Sequence, residues 1–105
     1  MRHVGGVPAQ AGVESYAAGM LFERAVRQVV ATSGANGLTR SRLLGAVAAI
    51  HNFNAAGILG TTDVAARAPT GCFQLLKVAS GHFVRSFPTT PGTLDCGAQN
   101  LQTVP

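Results

Sequence analysis

The sequence predicts a small mixed α/β architecture: two amphipathic helices, a long aperiodic stretch, and a β-hairpin followed by an irregular tail. Three observations carry this. Apolar residues recur at helical spacing between positions 14 and 51, two Phe/Leu/Val-rich runs flank the dipeptide Ser80-Gly81, and about twenty residues between these regions show little periodicity.

The first helix is expected from Glu14 to about Ala31, in ESYAAGMLFERAVRQVVA. Ala17, Met20, Leu21, Ala25 and Val29 fall on one face, and Glu23, Arg24, Arg27 and Gln28 are left for solvent. Glu14 near the start and Arg24 and Arg27 toward the end complement the helix dipole. The cluster Ser33, Gly34, Asn36 and Gly37 stops the helix near Thr32. Thr39 is then the cap of a second helix from Arg40 to His51, whose core stripe is Leu43, Leu44, Val47 and Ile50. Leu38 and Leu43 are placed to form a hydrophobic staple. Arg42 stands where a capping box would carry Glu or Gln, so no such box is expected.

From Asn52 to Gly71 only Ile58-Leu59 reads as briefly extended, and a structureless stretch of that length inside a compact domain is uncommon. It is read as a segment travelling between two separately packed bodies. The hairpin follows. With Ser80 and Gly81 as its loop, Ala79 should face His82, Val78 face Phe83, Leu76 face Arg85 and Gln74 face Phe87. Neither face is cleanly apolar, and a lone two-stranded ribbon is marginal in water, so it needs a larger body to lie against. Pro88, Pro91 and Gly92 end the pairing, and no strong element is expected beyond them.

Length, charge and cysteine count narrow the class. A chain of 105 residues, 47% hydrophobic and 11% charged, has room for one small domain and lies outside the disordered class. The net charge of +4 comes from arginines and one lysine spread from Arg2 to Arg85 without a dense cluster, so no nucleic-acid partner is expected. The amino terminus, MRHVGGVPAQAGV, lacks the apolar core of a secretory signal; as written, the chain is expected to remain cytoplasmic. The apolar run Leu43 to Ile50 is far shorter than a membrane span. Cys72 and Cys96 are the only cysteines; an even count permits one disulfide, and spacing alone leaves the bond and the free thiols equally open.

Catalytic patterns are not found. GxGxxG, the Walker phosphate loop, HExxH and CxxC are missing, and Glu14, Glu23, Asp63 and Asp95 are not paired by spacing. His3, His51, His82 and the cysteines have no finger-like spacing, so neither a metal nor another cofactor is expected. Ser80 and His82 are assigned to turn and strand surface rather than to a nucleophile and its base. The chain is therefore not expected to be an enzyme. A competing reading takes SGANGLTRSRLLGAV as a Gly-containing turn leading into a recognition helix that enters DNA, but a dedicated reader would concentrate more positive charge there.

The order YAAGMLFERAV, GLTRSRLLGAV, FNAAGIL, CFQLLKV, SG, HFVRSFP, PGTLDC resembles the carboxy-terminal part of type I periplasmic solute-binding proteins of ABC importers, of the branched-chain amino-acid-binding type. The likeness spans about Val13 to Val104, and its most specific piece is the hairpin followed by PGTLDC. The resemblance implies a C-terminal fragment of a two-lobed α/β receptor, with residues 13–51 in one lobe, 52–71 crossing the hinge and 72–105 in the other lobe. It implies an amino acid or amide as solute, a membrane permease and the missing N-terminal portion of the receptor as partners, and an extracytoplasmic location. It also implies that Cys72 and Cys96 pair. Ligand contacts in such receptors come mostly from earlier strand-end loops, so no ligand-binding residue carries over and the isolated chain is expected not to bind solute alone. The alternative is a self-contained interaction module that recruits a partner at an uncovered sheet edge.

Overall fold

The computed structural model describes residues 9–104. It is mixed α/β, with two helices and two small antiparallel sheets, and the chain divides into two compact units, one running through Ile50 and the other starting at His51.

In the first unit, helix α1 runs from Gln10 to Ser33. It starts four residues earlier than the acidic residue at position 14 predicts, with Ala9 in extended conformation and offering no side-chain cap. The first turn is held instead by side chains on the helix surface: Gln10 Nε2 donates to Glu14 Oε1 at 3.0 Å and the Ser15 hydroxyl donates to the Ala11 carbonyl at 2.8 Å. Its end is the expected one. Gly34 adopts φ 70°, a left-handed value that a side chain would resist, and its N–H bonds the Val30 carbonyl. Helix α2 spans Arg40–Ala48 and is capped as predicted, the Thr39 hydroxyl accepting from the Arg42 N–H at 3.3 Å.

Ala25, Val29 and Ala46 form the buried centre of this unit, with Leu43 and Val47 packed against it. Ala17 is buried as predicted, whereas Met20 and Leu21 are only half-buried. Two features of α2 differ from the sequence reading. The helix stops at Ala48 rather than His51, with Ile50 buried just beyond it, and Leu44 is 57% exposed rather than part of the core stripe. The α1 face passes over Leu43, Ala46 and Val47, a stripe one residue narrower than the hydrophobic run; Ala46, with its small side chain, is the buried position. Burying one Val or Leu contributes about 1.5–3 kcal/mol, so a centre made chiefly of alanines gives this helix pair a modest core.

In the second unit, the aperiodic stretch is a closed loop at its start. Phe53 and Thr62 exchange both backbone hydrogen bonds, at 3.0 and 2.9 Å, and Phe53 and Ala55 are buried. Between them Ala55, Ala56 and Gly57 all take positive φ, and the Asn54 carbonyl accepts from the N–H groups of Gly57 and Leu59, each at 3.0 Å. Ile58 is therefore helical, φ −70° and ψ −36°, and not extended. Two apolar residues in a row cannot distinguish a strand from a turn whose carbonyls are already committed.

The hairpin consists of β2, Leu75–Ala79, and β3, His82–Phe87, joined through Ser80 and Gly81, both at positive φ as a type I′ turn requires. Ala79 faces His82, Val78 faces Phe83 and Leu76 faces Arg85, as the turn dictates. The register then shifts. Leu75, not Gln74, faces Phe87, because Ser86 is an extra residue on β3 between the Leu76–Arg85 and Leu75–Phe87 pairs. A bulge of this kind is invisible to counting outward from the turn.

The tail is more ordered than expected. Strand β1, Cys72–Phe73, is separate from the hairpin and pairs antiparallel with β4, Asp95–Cys96, and a short 3₁₀ turn follows at Ala98–Asn100. Arg85 holds the connection from β3 to β4, donating through Nη1 to the Thr93 carbonyl at 2.7 Å. Asn100 ties the tail back: its amide donates to the Gly71 carbonyl at 2.8 Å and to Asp95 Oδ1 at 2.6 Å.

Candidate functional site

The residues singled out by chemistry divide between a covalent corner and an uncovered surface. At the corner, Cys72 and Cys96 are opposite one another in the β1–β4 pair, with Cα atoms 4.0 Å apart, and are joined in a disulfide. The bond closes the chain around the hairpin. Gly60 lies against it so closely that a Cβ at that position would be 2.5 Å from Cys72 Cβ and 2.9 Å from its Sγ, so only a glycine backbone fits there. A shallow cleft of about 230 Å³ opens beside the bond, lined by Thr61, Asp63, Pro69, Thr70 and both cysteines among others.

The surface is the hairpin. Leu75, Leu76, Val78, Phe83 and Phe87 are all exposed, Val78 and Phe83 to 67% and 79%, and these two form a directly opposed cross-strand pair. Phe73 adds to it, its ring centroid 6.0 Å from that of Phe87 in a tilted arrangement, within the range of favourable ring contacts. Among the described residues sheet β2–β3 has two strands, so each strand leaves one edge unpaired. Among the described residues, no polar or charged side chain is buried within this apolar area or elsewhere.

His51 and Asp63 bracket the closed loop, with His51 Nδ1 3.2 Å from Asp63 Oδ2, where the ring N–H donates. The hydrogen bond from His51 draws the Asp63 carboxyl below its ordinary 3.8; desolvation opposes this, and the Ala66 N–H, donating to Oδ1 at 3.1 Å, adds to it. Both side chains are well exposed, so the pair is an ordinary surface clasp. Ser80 sits in the turn and His82 pairs with Ala79, positions that need no chemistry to explain them. No group of three or more metal-ligating side chains occurs among the described residues. Nor is any helix among them long and apolar enough to cross a membrane.

The putting together of Thr39, Arg40 and Arg42 at the start of α2 also has a local explanation. Arg42 Nη1 donates to the Gly37 carbonyl at 3.1 Å, turning the guanidinium back on the chain's own preceding turn. Residue pattern alone does not announce this bond. The bulge at Ser86, the β1–β4 pair and the Asn100 clasp were likewise missed, because each depends on contacts between residues far apart in sequence.

Comparison with family models, characterised proteins and solved structures finds no match to this chain.

Proposed function

We propose that the chain acts as a binding element rather than a catalyst, its hairpin forming the contact with a further protein body that presents a sheet. The observation that carries this is the apolar hairpin: five large side chains stand in water on a two-stranded sheet with unpaired edges. Exposed apolar side chains on a sheet whose edges are open suit strand addition, in which backbone bonds supply affinity and alternate side chains supply fit. The test is sedimentation with an apolar dye: the native chain is expected to bind dye or self-associate. A native chain that stays monomeric and binds no dye contradicts the reading.

A more specific form of the proposal names the covering body. In it the chain is the C-terminal part of a type I solute-binding protein of an ABC importer, and the remainder of that receptor covers the hairpin. The order of residues through PGTLDC supports this form, and so does the disulfide, a bond that persists in oxidising, extracytoplasmic surroundings. The solute is then an amino acid or amide, held by residues of the receptor's other portions, and the membrane permease is the downstream partner. Titration calorimetry of the chain against a panel of amino acids and amides is expected to give no saturable heat. Tight, saturable binding by these 105 residues alone sinks this form while leaving the docking surface standing.

A further inference from the structure

We propose that Cys96 is a site of thiol modification: a small thiol such as glutathione opens the Cys72–Cys96 bond by attacking the Cys96 sulfur, and the carboxy-terminal tail is released with it. The two ends of the disulfide have different surroundings. Cys96 is exposed, on the two-residue strand β4, with the chain turning away through Gly97. Cys72 is half-buried, and Gly60 is packed against its side chain, with Leu94 also close to that position. Exchange needs the incoming thiolate to approach in line with the S–S bond, from behind the sulfur it attacks. Gly60 crowds the Cys72 end, whereas the Cys96 end faces solvent.

The step balances without any further reagent. The glutathione thiolate forms a bond to Cys96 Sγ, the Cys72–Cys96 bond breaks, and Cys72 leaves as a thiolate that takes a proton from water. A second glutathione then attacks the adduct, giving the free Cys96 thiol and glutathione disulfide. Once the crosslink opens, what joins the tail to the β1 side is a two-residue ladder and the Asn100 hydrogen bond to the Gly71 carbonyl. So short a pairing does not persist by itself in water. Release of residues 95–104 then leaves β1 without its pairing strand, so thiol exchange at Cys96 controls how much sheet edge the second unit offers.

The test is peptide mapping of the oxidised chain of 105 residues. Brief exposure to glutathione at mildly alkaline pH is followed by acid quenching, alkylation of free thiols and digestion with trypsin. Cleavage after Arg67, Lys77 and Arg85 leaves Cys72 and Cys96 on different peptides. The expected result is glutathione on the Cys96 peptide and alkylation on the Cys72 peptide, favoured about fivefold or more over the reverse. The bias is expected to vanish when the same exposure is done in concentrated urea. Equal partition in the folded chain, preference for Cys72, or a bias that survives in urea each overturns the proposal.

Discussion

Replacing both cysteines, Cys72→Ser with Cys96→Ser, isolates the largest single stabilising device in the second unit. The bond spans a sequence separation of 24, closing a loop of about 25 residues, for which the chain-entropy relation gives about 3.5 kcal/mol at room temperature. The interactions that share its task are smaller. The Asn100 hydrogen bond to the Gly71 carbonyl contributes about 1 kcal/mol, and the β1–β4 ladder adds only two residues of pairing. The large side chains of the hairpin are exposed and add little burial. Loss of the crosslink should therefore dominate. Amide hydrogen exchange of Lys77 and Val84, which face one another in the hairpin, is the assay, because it reads opening of this unit residue by residue. About 3.5 kcal/mol corresponds to a fall in protection of a few hundredfold, or to complete loss where the native protection is smaller than that. A fall of less than about tenfold would refute the reasoning, since it would mean the hairpin is held by burial or by pairing that the closed loop does not control.

Other perturbations test other parts of the second unit. Gly60→Ala forces a Cβ to within 2.5 Å of Cys72 Cβ and should lower the urea midpoint by the equivalent of about 1–3 kcal/mol, an overpacking cost. Ser80→Asn places a residue tolerant of left-handed φ where Ser80 has φ 51°, and should raise hairpin stability by about 0.5 kcal/mol in the same denaturation series. For Asp63 the folded carboxyl titrates below 3.8, so its contribution is present above the unfolded value and is lost as pH falls through the lower folded value. Carbon-detected NMR titration should place its midpoint below 3.8, and His51→Ala should move it back upward.

Local chemistry made much of this fold legible. Thr39 announced the start of α2 because a hydroxyl in that position accepts an otherwise unpaired amide, and Ser80-Gly81 fixed the first pairs of the hairpin because a two-residue turn permits one register. Where the outcome depended on distant partners, the reading failed. Gln74 was matched to Phe87 by counting, and the extra residue Ser86 displaced that match. Leu44 looked like core because helical periodicity shows which residues share a face, not how wide the covering helix is. The tail looked empty because β4 is two residues long and exists by virtue of its pairing with β1 and the bond at its end. The uncovered surface was foreseen in kind, since the mixed faces of the hairpin demanded a larger body, and the second unit leaves those faces open.

That open surface is the core of the functional proposal, and the double variant Val78→Lys, Phe83→Glu tests it most directly. The two residues are opposed on the ladder and largely exposed, so their replacement removes apolar contact area while placing opposite charges across the strands. If these side chains serve contact with another body, the variant keeps the cross-strand register and the hairpin amide protection to within about threefold, while dye binding and self-association disappear. If instead the hairpin collapses, with its amides exchanging like those of an unfolded chain, then Val78 and Phe83 belong to the chain's own fold and the docking surface does not exist.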